Sequence, residues 1–329
     1  MPRFLITGGA GYIGSHMVRL LLDRGAQVVV FDDLSTGHRD LVAKGATLVR
    51  GSLSDPAALK DLFAAHGAFD AVFHFAARSL VGESVARPLA YWRDNLGGTL
   101  ALVSAMVEAG VDRLIFSSTA AVYGVPETVP IPEGAPAAPI NPYGETKRAI
   151  ETMLKAAHRA HGLRSVSLRY FNAAGAHESG RIGEWHEPET HLIPNVLKAA
   201  LGEAPAIRIF GTDYDTPDGT AVRDYVHVMD LVEAHALALA HLDAHDGAHV
   251  FNLGCAKGFS VREVIRAAET VVGRPIPVEE APRRPGDPPV LVADSSRARE
   301  LLGWRPTRSE LERIIADAWA WHRQEAQSA

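Results

Sequence analysis

The sequence predicts an α/β fold with a doubly wound parallel sheet and a smaller mixed α/β lobe toward the C-terminus. Short apolar stretches typical of buried strands alternate with longer stretches of helical spacing through the first half of the chain. This alternation is typical of a parallel sheet covered by helices. Beyond residue 175 the alternation weakens. We therefore expect a first domain at residues 1–172, to which a later segment near 223–253 returns, and a second lobe at 173–329.

The first strand leads directly into a glycine-rich turn. Residues 3–7 have the pattern of a short buried strand, and Gly8, Gly11 and Gly14 follow in the spacing Gly-x-x-Gly-x-x-Gly before an apolar helix. Such glycines permit a tight turn and let the backbone approach a pyrophosphate at the helix N-terminus. Strand, turn and helix in this order predict a dinucleotide-binding Rossmann unit. A glycine turn without any ligand is the less favoured alternative.

The second strand, at residues 27–31, ends in two acidic residues, Asp32 and Asp33. An acid at this position accepts hydrogen bonds from the adenosine ribose hydroxyls. A carboxylate there also repels a 2′-phosphate. The sequence therefore favours NAD over NADP as cofactor.

Later strands end in residues that suit a ligand site at the carboxyl edge of the sheet, where doubly wound folds bind their ligands. The pattern at 69–75 is followed by the small Ala76 and Ala77, and the pattern at 113–117 by Ser118 and Thr119. Further strands are predicted at 46–50, 164–171, 206–210 and 249–253, and helices at 55–66, 88–109, 193–201, 229–242 and 260–272.

A predicted helix at 140–151 places a tyrosine and a lysine on one face. Pro142 suits the first helical turn, and Tyr143 and Lys147 then stand four residues apart. A free phenol has a pKa of about 10, but a nearby ammonium favours the phenolate and lowers that pKa. A cationic nicotinamide close by would lower it further. On its own such a pair is common on solvated helices, so its meaning depends on the glycine turn upstream.

Composition excludes several classes of partner. The chain has 329 residues with 47% hydrophobic content and a net charge of −6, enough for a large core. It shows no basic block of the kind that binds nucleic acid or anionic membranes. The first strand begins at residue 3, which leaves no room for a signal peptide, and no apolar run approaches the roughly 18 residues that span a bilayer. Because the only cysteine is Cys255, we expect a cytoplasmic protein without disulfides.

In this order the glycine turn, Asp32, Ser118-Thr119 and Tyr143-x-x-x-Lys147 resemble the extended short-chain dehydrogenase/reductase superfamily, and within it the UDP-glucose 4-epimerase family. The resemblance covers essentially the whole chain. Its further motifs are His74-Phe75-Ala76-Ala77, Val81-Gly82-Glu83-Ser84, Arg169-Tyr170-Phe171-Asn172, Val222-Arg223-Asp224-Tyr225-Val226-His227 and Arg283-Arg284-x-Gly286-Asp287.

The resemblance implies reversible C4 epimerisation of UDP-galactose and UDP-glucose through a transient 4-keto sugar, with NAD retained through turnover. Tyr143 would remove the proton from the sugar 4-hydroxyl as hydride leaves C4. Thr119, assisted by Ser118, would hydrogen-bond that oxygen, and Lys147 would hold the nicotinamide ribose and keep Tyr143 ionised. The resemblance also suggests a homodimer packed through the helices that carry Asn95 and Tyr143.

The same resemblance implies two sets of binding residues. For NAD they are Gly8, Gly11, Tyr12, Ile13, Gly14, Asp32, Asp33, Leu34, Ser52, Leu53, Phe75, Ala76, Ala77, Asn95, Ser117, Tyr143, Lys147, Tyr170 and Phe171. For the UDP-sugar they are Thr119, Tyr143, Asn172, His191, Leu192, Arg208, Phe210, Arg223, Arg284, Asp287 and Leu291. Arg223 and Arg284 would grip the pyrophosphate by forked hydrogen bonds. From the residues alone, Arg223 could instead pair with Asp224 or Asp230.

Four positions depart from the usual epimerase pattern. Ser52 stands where an Asp commonly meets the adenine amine, and Ser79 replaces a Lys near the cofactor phosphates, with Arg78 beside it. His191 occupies a common Asn position. Leu291 falls where some members carry a Tyr that crowds the sugar 2-position. A smaller residue leaves room for an N-acetyl group, so UDP-N-acetylglucosamine is a plausible second substrate.

Several other readings are weighed against this one. Nucleotide-sugar dehydratases and UDP-glucuronate decarboxylases typically place an acid after the Ser/Thr position, where this chain has Ala120 and Ala121. Epimerases for UDP-xylose/arabinose or UDP-glucuronate stay open, whereas a non-catalytic NAD-binding regulator would usually lack the Tyr or Lys. We expect no metal, because His186 and His191 are five residues apart and Pro188 breaks the helix that a zinc-binding His-Glu-x-x-His needs. Trp304 is interpreted as core packing.

Overall fold

The computed structural model describes residues 1–284 and 286–328, in which the chain forms thirteen strands and eleven α-helices. The strands are β1 Arg3–Thr7, β2 Gln27–Asp32, β3 Thr47–Arg50, β4 Ala71–His74, β5 Arg113–Thr119, β6 Arg164–Tyr170, β7 Asn172–Ala174, β8 Ile207–Phe210, β9 Val222–His227, β10 Ala248–Leu253, β11 Gly258–Ser260, β12 Val278–Ala281 and β13 Val290–Leu291. The helices are α1 Tyr12–Asp23, α2 Pro56–His66, α3 Val81–Ala86, α4 Pro88–Tyr91, α5 Gly98–Glu108, α6 Pro142–His161, α7 Leu192–Leu201, α8 Val228–Ala244, α9 Val261–Val272, α10 Ser296–Leu301 and α11 Leu311–Ser328. None of the helices in this described part has the length and apolar character needed to cross a membrane.

Seven strands form one parallel sheet in the order β10-β6-β5-β4-β1-β2-β3. The chain runs outward from β1 to β3 and then returns to β4 on the other side of β1. The central strands are buried almost throughout, as strands covered on both faces must be. The predicted doubly wound parallel sheet is confirmed, and its switch point lies between β1 and β4, where such folds bind ligands.

Helix α6 is defined at both ends by local sequence. The Asn141 side chain accepts a hydrogen bond from the Gly144 N–H at 2.9 Å, and Pro142 takes the first helical position. At the other end Gly162 adopts φ 70°, a left-handed conformation that glycine reaches without steric cost. The helix therefore begins one residue before Tyr143, and Tyr143 and Lys147 project from its first two turns.

The predicted long helix at 88–109 is present but not uniform. Its middle section, Trp92–Gly97, is a π-helix between α4 and α5. Such a widened turn re-aims the side chains it contains and is frequent at functional sites. Asn95, which periodicity alone placed on a regular helix, lies within this π segment.

The later part of the chain supplies both a smaller lobe and part of the main sheet. Strands β7, β9, β11 and β13 form a separate sheet, and β8 pairs with β12. In contrast, α8 packs against α1 and β6, and β10 adds an edge strand to the main sheet. The returning segment therefore consists of α8 and β10, whereas β9 belongs to the smaller sheet. Trp304 is 1% exposed, so its predicted role in core packing is confirmed.

Candidate active site

One cavity of about 1910 Å³ runs along the carboxyl edge of the main sheet and into the smaller lobe. A drug-sized ligand occupies a pocket of about 300–1,000 Å³, so this cavity has room for more than one such molecule. Nearly all of the predicted binding residues line it; those that do not are Leu34, Asn95 and Ser118. The cavity therefore brings residues from the glycine turn and the distant smaller lobe into one continuous site.

The glycine turn is packed too tightly for side chains. Gly8 has φ +72°, and a Cβ there would lie 2.5 Å from the Ala76 backbone nitrogen. A Cβ on Gly14 would lie 2.1 Å from the Gly8 carbonyl oxygen. Both distances are far inside van der Waals contact, so only glycine fits. The result is an exposed stretch of backbone at the N-terminus of α1, the feature that binds a dinucleotide pyrophosphate.

Asp32 lies at the end of β2, and its carboxylate is held by the backbone. One oxygen accepts from the Ala10 N–H and the other from the Leu34 N–H, each at 2.9 Å. Burial raises the pKa of Asp32, while these two hydrogen bonds oppose that shift. Each carboxylate oxygen keeps a further lone pair for a ribose hydroxyl. Leu34 is thus a backbone partner of Asp32, with φ 61°, and does not line the cavity.

Thr119, Tyr143 and Lys147 lie together on the wall of the cavity. The Lys147 ammonium is buried and donates to the Ser117 carbonyl oxygen at 2.8 Å. It lies 5.8 Å from the centre of the Tyr143 ring. The Thr119 hydroxyl is hydrogen-bonded to the Tyr143 phenol. This arrangement holds a phenol, a hydroxyl and a cation at one point of the cavity.

Burial dominates the ionisation of both the phenol and the ammonium. Burial raises the pKa of Tyr143, and the hydrogen bond with Thr119 opposes the shift. Burial also lowers the pKa of Lys147 to about 7, with the Glu151 carboxylate acting in the opposite direction. The two shifts share one cause. The cause is that both groups are desolvated, which disfavours the charged form of each.

Ser118 does not reach the reacting region, and its predicted catalytic role is corrected. Side chains alternate along a strand, so that Ser117 and Thr119 face one side of β5 and Ser118 the other. Its hydroxyl donates to the Glu151 carboxylate at 2.6 Å, and Ser118 is fully buried. Arg169 completes this group by donating to Glu151 at 2.9 Å. This ion pair was not among the predicted contacts, although Glu151 stands four residues beyond Lys147 and Arg169 lies within a buried strand.

Asn95 was predicted to contact the cofactor, but it does not line the cavity. It is 1% exposed, its side-chain oxygen accepts from the Arg78 N–H at 2.8 Å, and its amide donates to the Arg78 carbonyl at 3.0 Å. Both polar groups are therefore occupied by the backbone of Arg78, a residue that does line the cavity. Arg78 itself donates to Asp94 at 2.6 Å. Asn95 therefore supports the cavity wall indirectly, through its hydrogen bonds to the Arg78 backbone.

Two arginines of the smaller lobe, Arg223 and Arg284, line the cavity. Arg223 donates to the Asp287 carboxylate at 2.5 Å, and not to Asp224 or Asp230 as the alternative reading allowed. Asp224 is instead buried, where it accepts the backbone N–H groups of Cys255 and Ala293.

Arg284 stacks over the Phe210 ring, with its guanidinium carbon 4.1 Å from the ring centre. A stacked guanidinium keeps its in-plane N–H donors free to point into the cavity. Arg208, in contrast, has a side chain that is 67% exposed and lies 3.5 Å from Glu279. Of the predicted arginines, Arg223 and Arg284 are therefore the better placed to hold an anion.

Three further predicted substrate residues line the middle of the cavity. The Asn172 amide donates to the Asp224 carbonyl at 3.1 Å. Leu291 packs beside Phe171 against a small core cluster and shows part of its surface to the cavity. His191 lies at the N-cap position of α7 without a side-chain capping hydrogen bond, and its ring is hydrogen-bonded to Glu184.

The loop before α7 assembles four titratable side chains that the sequence did not predict to meet. They are Glu184, His186, Glu189 and His191, here called the 184–191 cluster, and their nitrogen and oxygen atoms all lie within 4.8 Å of one another. Sequence spacing excluded a helical zinc motif, but this segment is a loop and follows no helical spacing. Trp185 of the same loop stacks on His38 with ring centres 3.9 Å apart, which joins the loop to the segment after β2.

Comparison with known proteins gives consistent similarities. Residues 4–254 match the model of the NAD dependent epimerase/dehydratase family. The UDP-glucose 4-epimerase of Halalkalibacterium halodurans is 52% identical over 320 residues, covering 97% of this chain and 95% of that protein. The crystal structure of UDP-glucose 4-epimerase from Brucella ovis in complex with NAD is 46% identical with a TM-score of 0.94, and the match covers 97% of this chain and 98% of that one. The structure of UDP-glucose 4-epimerase from Bifidobacterium longum in complex with NAD+ and UDP is 40% identical with a TM-score of 0.94, covering 99% and 100%.

Proposed function

The chain belongs to the NAD dependent epimerase/dehydratase family, and from this premise we propose that it interconverts UDP-galactose and UDP-glucose by inverting carbon 4 of the sugar. The observation that supports this most directly is the position of Thr119, Tyr143 and Lys147 in one cavity, between the glycine turn and the arginines of the smaller lobe. The cytoplasmic location indicated by the single cysteine is part of the same proposal.

The glycine turn and the carboxylate of Asp32 fit the pyrophosphate and adenosine ribose of NAD. The turn offers free backbone where Cβ atoms would collide, and Asp32 offers acceptors for ribose hydroxyls while repelling a 2′-phosphate. Lys147 would hold the nicotinamide ribose. When bound, NAD accepts hydride from the sugar carbon 4 and returns it to the opposite face.

Tyr143 serves as the general base and then the general acid. Its phenolate takes the proton of the sugar 4-hydroxyl and later returns a proton to the 4-keto oxygen. Thr119 hydrogen-bonds Tyr143 and passes the proton between that phenol and the sugar oxygen. Because burial raises the phenol pKa, the positive charge of the oxidised nicotinamide is needed to favour the phenolate. The base therefore becomes active only in the loaded site.

The smaller lobe anchors the nucleotide half of the substrate. Arg223 and Arg284 donate forked hydrogen bonds to the pyrophosphate, and Asp287, which already orients Arg223, accepts from the uridine ribose. Anchoring the nucleotide leaves the 4-keto sugar free to turn over between the two hydride transfers.

The first experiment is turnover of UDP-galactose by the purified protein without added NAD, followed as UDP-glucose formation. Turnover under these conditions requires a cofactor retained through purification and would support the proposal. A Tyr143→Phe variant, which keeps the ring and loses the hydroxyl, is the matched control and should lose activity. If the wild-type protein is inactive even after NAD is supplied, the assignment of this sugar pair is wrong, and UDP-pentose or UDP-uronate substrates are tested next.

We further propose that Leu291 leaves room for an N-acetyl group at the sugar 2-position. Leu291 borders the cavity beside Phe171, and a leucine occupies less depth than a tyrosine. UDP-N-acetylgalactosamine should therefore be a substrate of the wild-type protein, and Leu291→Tyr should lower its turnover much more than that of UDP-galactose. Leu291→Met is the control of similar volume. Equal losses for both sugars in Leu291→Tyr would refute the argument.

The homodimer is proposed on the exposed apolar side chains of the helical segment around Asn95. Val85, Leu89 and Leu100 are 64%, 80% and 53% exposed, and exposed apolar side chains in one helical segment support an interface there. Light scattering coupled to gel filtration should give twice the chain mass, and Leu89→Glu should give the single chain mass. Val125→Glu, which changes an apolar residue elsewhere that is 61% exposed, should not.

A further inference from the structure

The 184–191 cluster has the geometry of a cation site outside the reacting groups. His186 Nδ1 lies 3.1 Å from a Glu184 oxygen and 3.8 Å from a Glu189 oxygen. His191 Nδ1 lies 3.9 Å from the other Glu189 oxygen and is hydrogen-bonded to Glu184. Both imidazoles therefore turn the same ring nitrogen toward the same two carboxylates.

These separations are somewhat wider than those of tetrahedral coordination, by an amount that small side-chain movements can close. Zinc binds histidine nitrogen and carboxylate oxygen at about 2.0–2.2 Å, which places tetrahedral ligand atoms about 3.3 Å apart. All four donor atoms already lie within 4.8 Å of one another, so shifts of about 1 Å would complete the site. Two imidazoles with two carboxylates suit zinc and its neighbours in the first transition row, whereas magnesium and calcium prefer oxygen alone.

Burial and charge call for two positive charges at this point, which either one dication or two imidazole protons can supply. The Glu184 and Glu189 side chains are only 4% and 3% exposed, and buried carboxylates must be paired or coordinate metal. Two carboxylates with two neutral imidazoles carry a charge of about −2, which one divalent ion cancels. The same four side chains reach electroneutrality without metal only when both imidazoles carry an extra proton. Metal and protons thus compete for one set of atoms.

We propose that Glu184, His186, Glu189 and His191 bind one divalent transition-metal ion of the zinc class, which pins the loop before α7 at the rim of the cavity. All four ligands come from one short loop, and Glu184 is fixed from behind by the Trp321 indole, which donates to its carbonyl at 3.1 Å. The ion holds no reacting group. The proposal does not depend on the epimerase assignment, because it concerns binding alone.

The test is titration of the chelator-treated full chain with Co²⁺, read by the visible absorption of the tetrahedral ion and by quenching of Trp185 fluorescence. We expect one ion per chain, displacement by Zn²⁺, and weaker binding as the pH is lowered, because protons compete for the imidazoles. His186→Ala and Glu189→Gln should each weaken binding by more than about tenfold, since loss of even an outer partner does so at metal sites. Glu187→Gln, in the same loop but outside the cluster, should bind as the wild type does.

Two further controls keep the result decisive. His245→Ala changes a second histidine group, in which His241 and His245 stack 4.0 Å apart, and should leave binding intact. Should a cluster variant fail to fold, hydrogen exchange of the wild-type loop measured with and without Zn²⁺ decides the question, because a bound ion should slow exchange at residues 184–191. Absence of stoichiometric binding, binding that follows His245, or unchanged exchange of the loop would each overturn the proposal.

Discussion

Replacing Thr119 by valine tests the proposed base directly. Valine keeps the shape of threonine but removes the hydroxyl that is hydrogen-bonded to Tyr143, the interaction that opposes the rise in the phenol pKa. A hydrogen bond to a charged group contributes about 1.5–3 kcal/mol, and one pKa unit corresponds to about 1.4 kcal/mol. The pKa of Tyr143 should therefore rise further in the variant.

The sign of the effect on rate follows from the role of the phenolate. A higher phenol pKa leaves less phenolate at neutral pH, so kcat at neutral pH should fall by about 10- to 100-fold. As the pH rises toward the new pKa, the phenolate fraction recovers and kcat should approach that of the wild type. The rising limb of the kcat–pH profile should thus move to higher pH.

The assay is UDP-galactose turnover over a pH series, with Thr119→Ser as the control that keeps the hydroxyl. Thr119→Ser should keep the wild-type limb, and it also keeps the acceptor for the Ala121 N–H, which Thr119 bonds at 3.2 Å. A uniform loss of kcat at every pH with an unshifted limb would refute the reasoning. So would a valine variant that retains wild-type activity at neutral pH.

Three further outcomes are expected. Ser118→Ala should lower the free energy of unfolding in urea by about 1.5–3 kcal/mol without moving the kcat–pH limb, because its hydroxyl faces Glu151 and not the cavity; a shifted limb would contradict this. Arg223→Gln should raise KM for UDP-galactose by about 10- to 100-fold, whereas Arg208→Gln, which changes a mostly exposed side chain, should raise it by no more than about fivefold. Asp32→Asn should improve NADP binding relative to NAD by about tenfold in a competition titration, since the negative charge that repels a 2′-phosphate is gone, and an unchanged preference would count against that explanation.

The parts of the site that lie on regular elements could be predicted from the sequence. The glycine turn, the acids at the end of β2 and the pair on α6 depend on spacing within one strand or helix, and a period of 2.0 or 3.6 residues is enough to place them. The same rule, applied to adjacent positions of β5, would have separated Ser118 from Thr119. The prediction gave Ser118 and Thr119 one catalytic role because their hydroxyls are adjacent in the sequence. Successive side chains of a strand, however, point to opposite faces of the sheet.

Sequence periodicity does not predict contacts between segments that are distant in the sequence or irregular in structure. The π segment around Asn95 follows no regular spacing, and the partner of Arg223 lies 64 residues further along the chain at Asp287. The 184–191 cluster depends on the path of a loop, for which the sequence offers no period. The pKa of Tyr143 likewise depends on how much of the surrounding protein excludes water, which is a property of the assembled cavity.

The order of strands in the main sheet also has a consequence for the synthesis and the truncation of the chain. Strand β10 is the outermost neighbour of β6, yet it is synthesised after β7, β8 and β9 of the smaller lobe. Until residue 253 has left the ribosome, β6 presents an unpaired edge, the kind of surface that recruits other strands and causes aggregation. A fragment ending at residue 172 would keep that open edge permanently. The two lobes are therefore interleaved and should be expressed, truncated and mutated as a single cooperative unit.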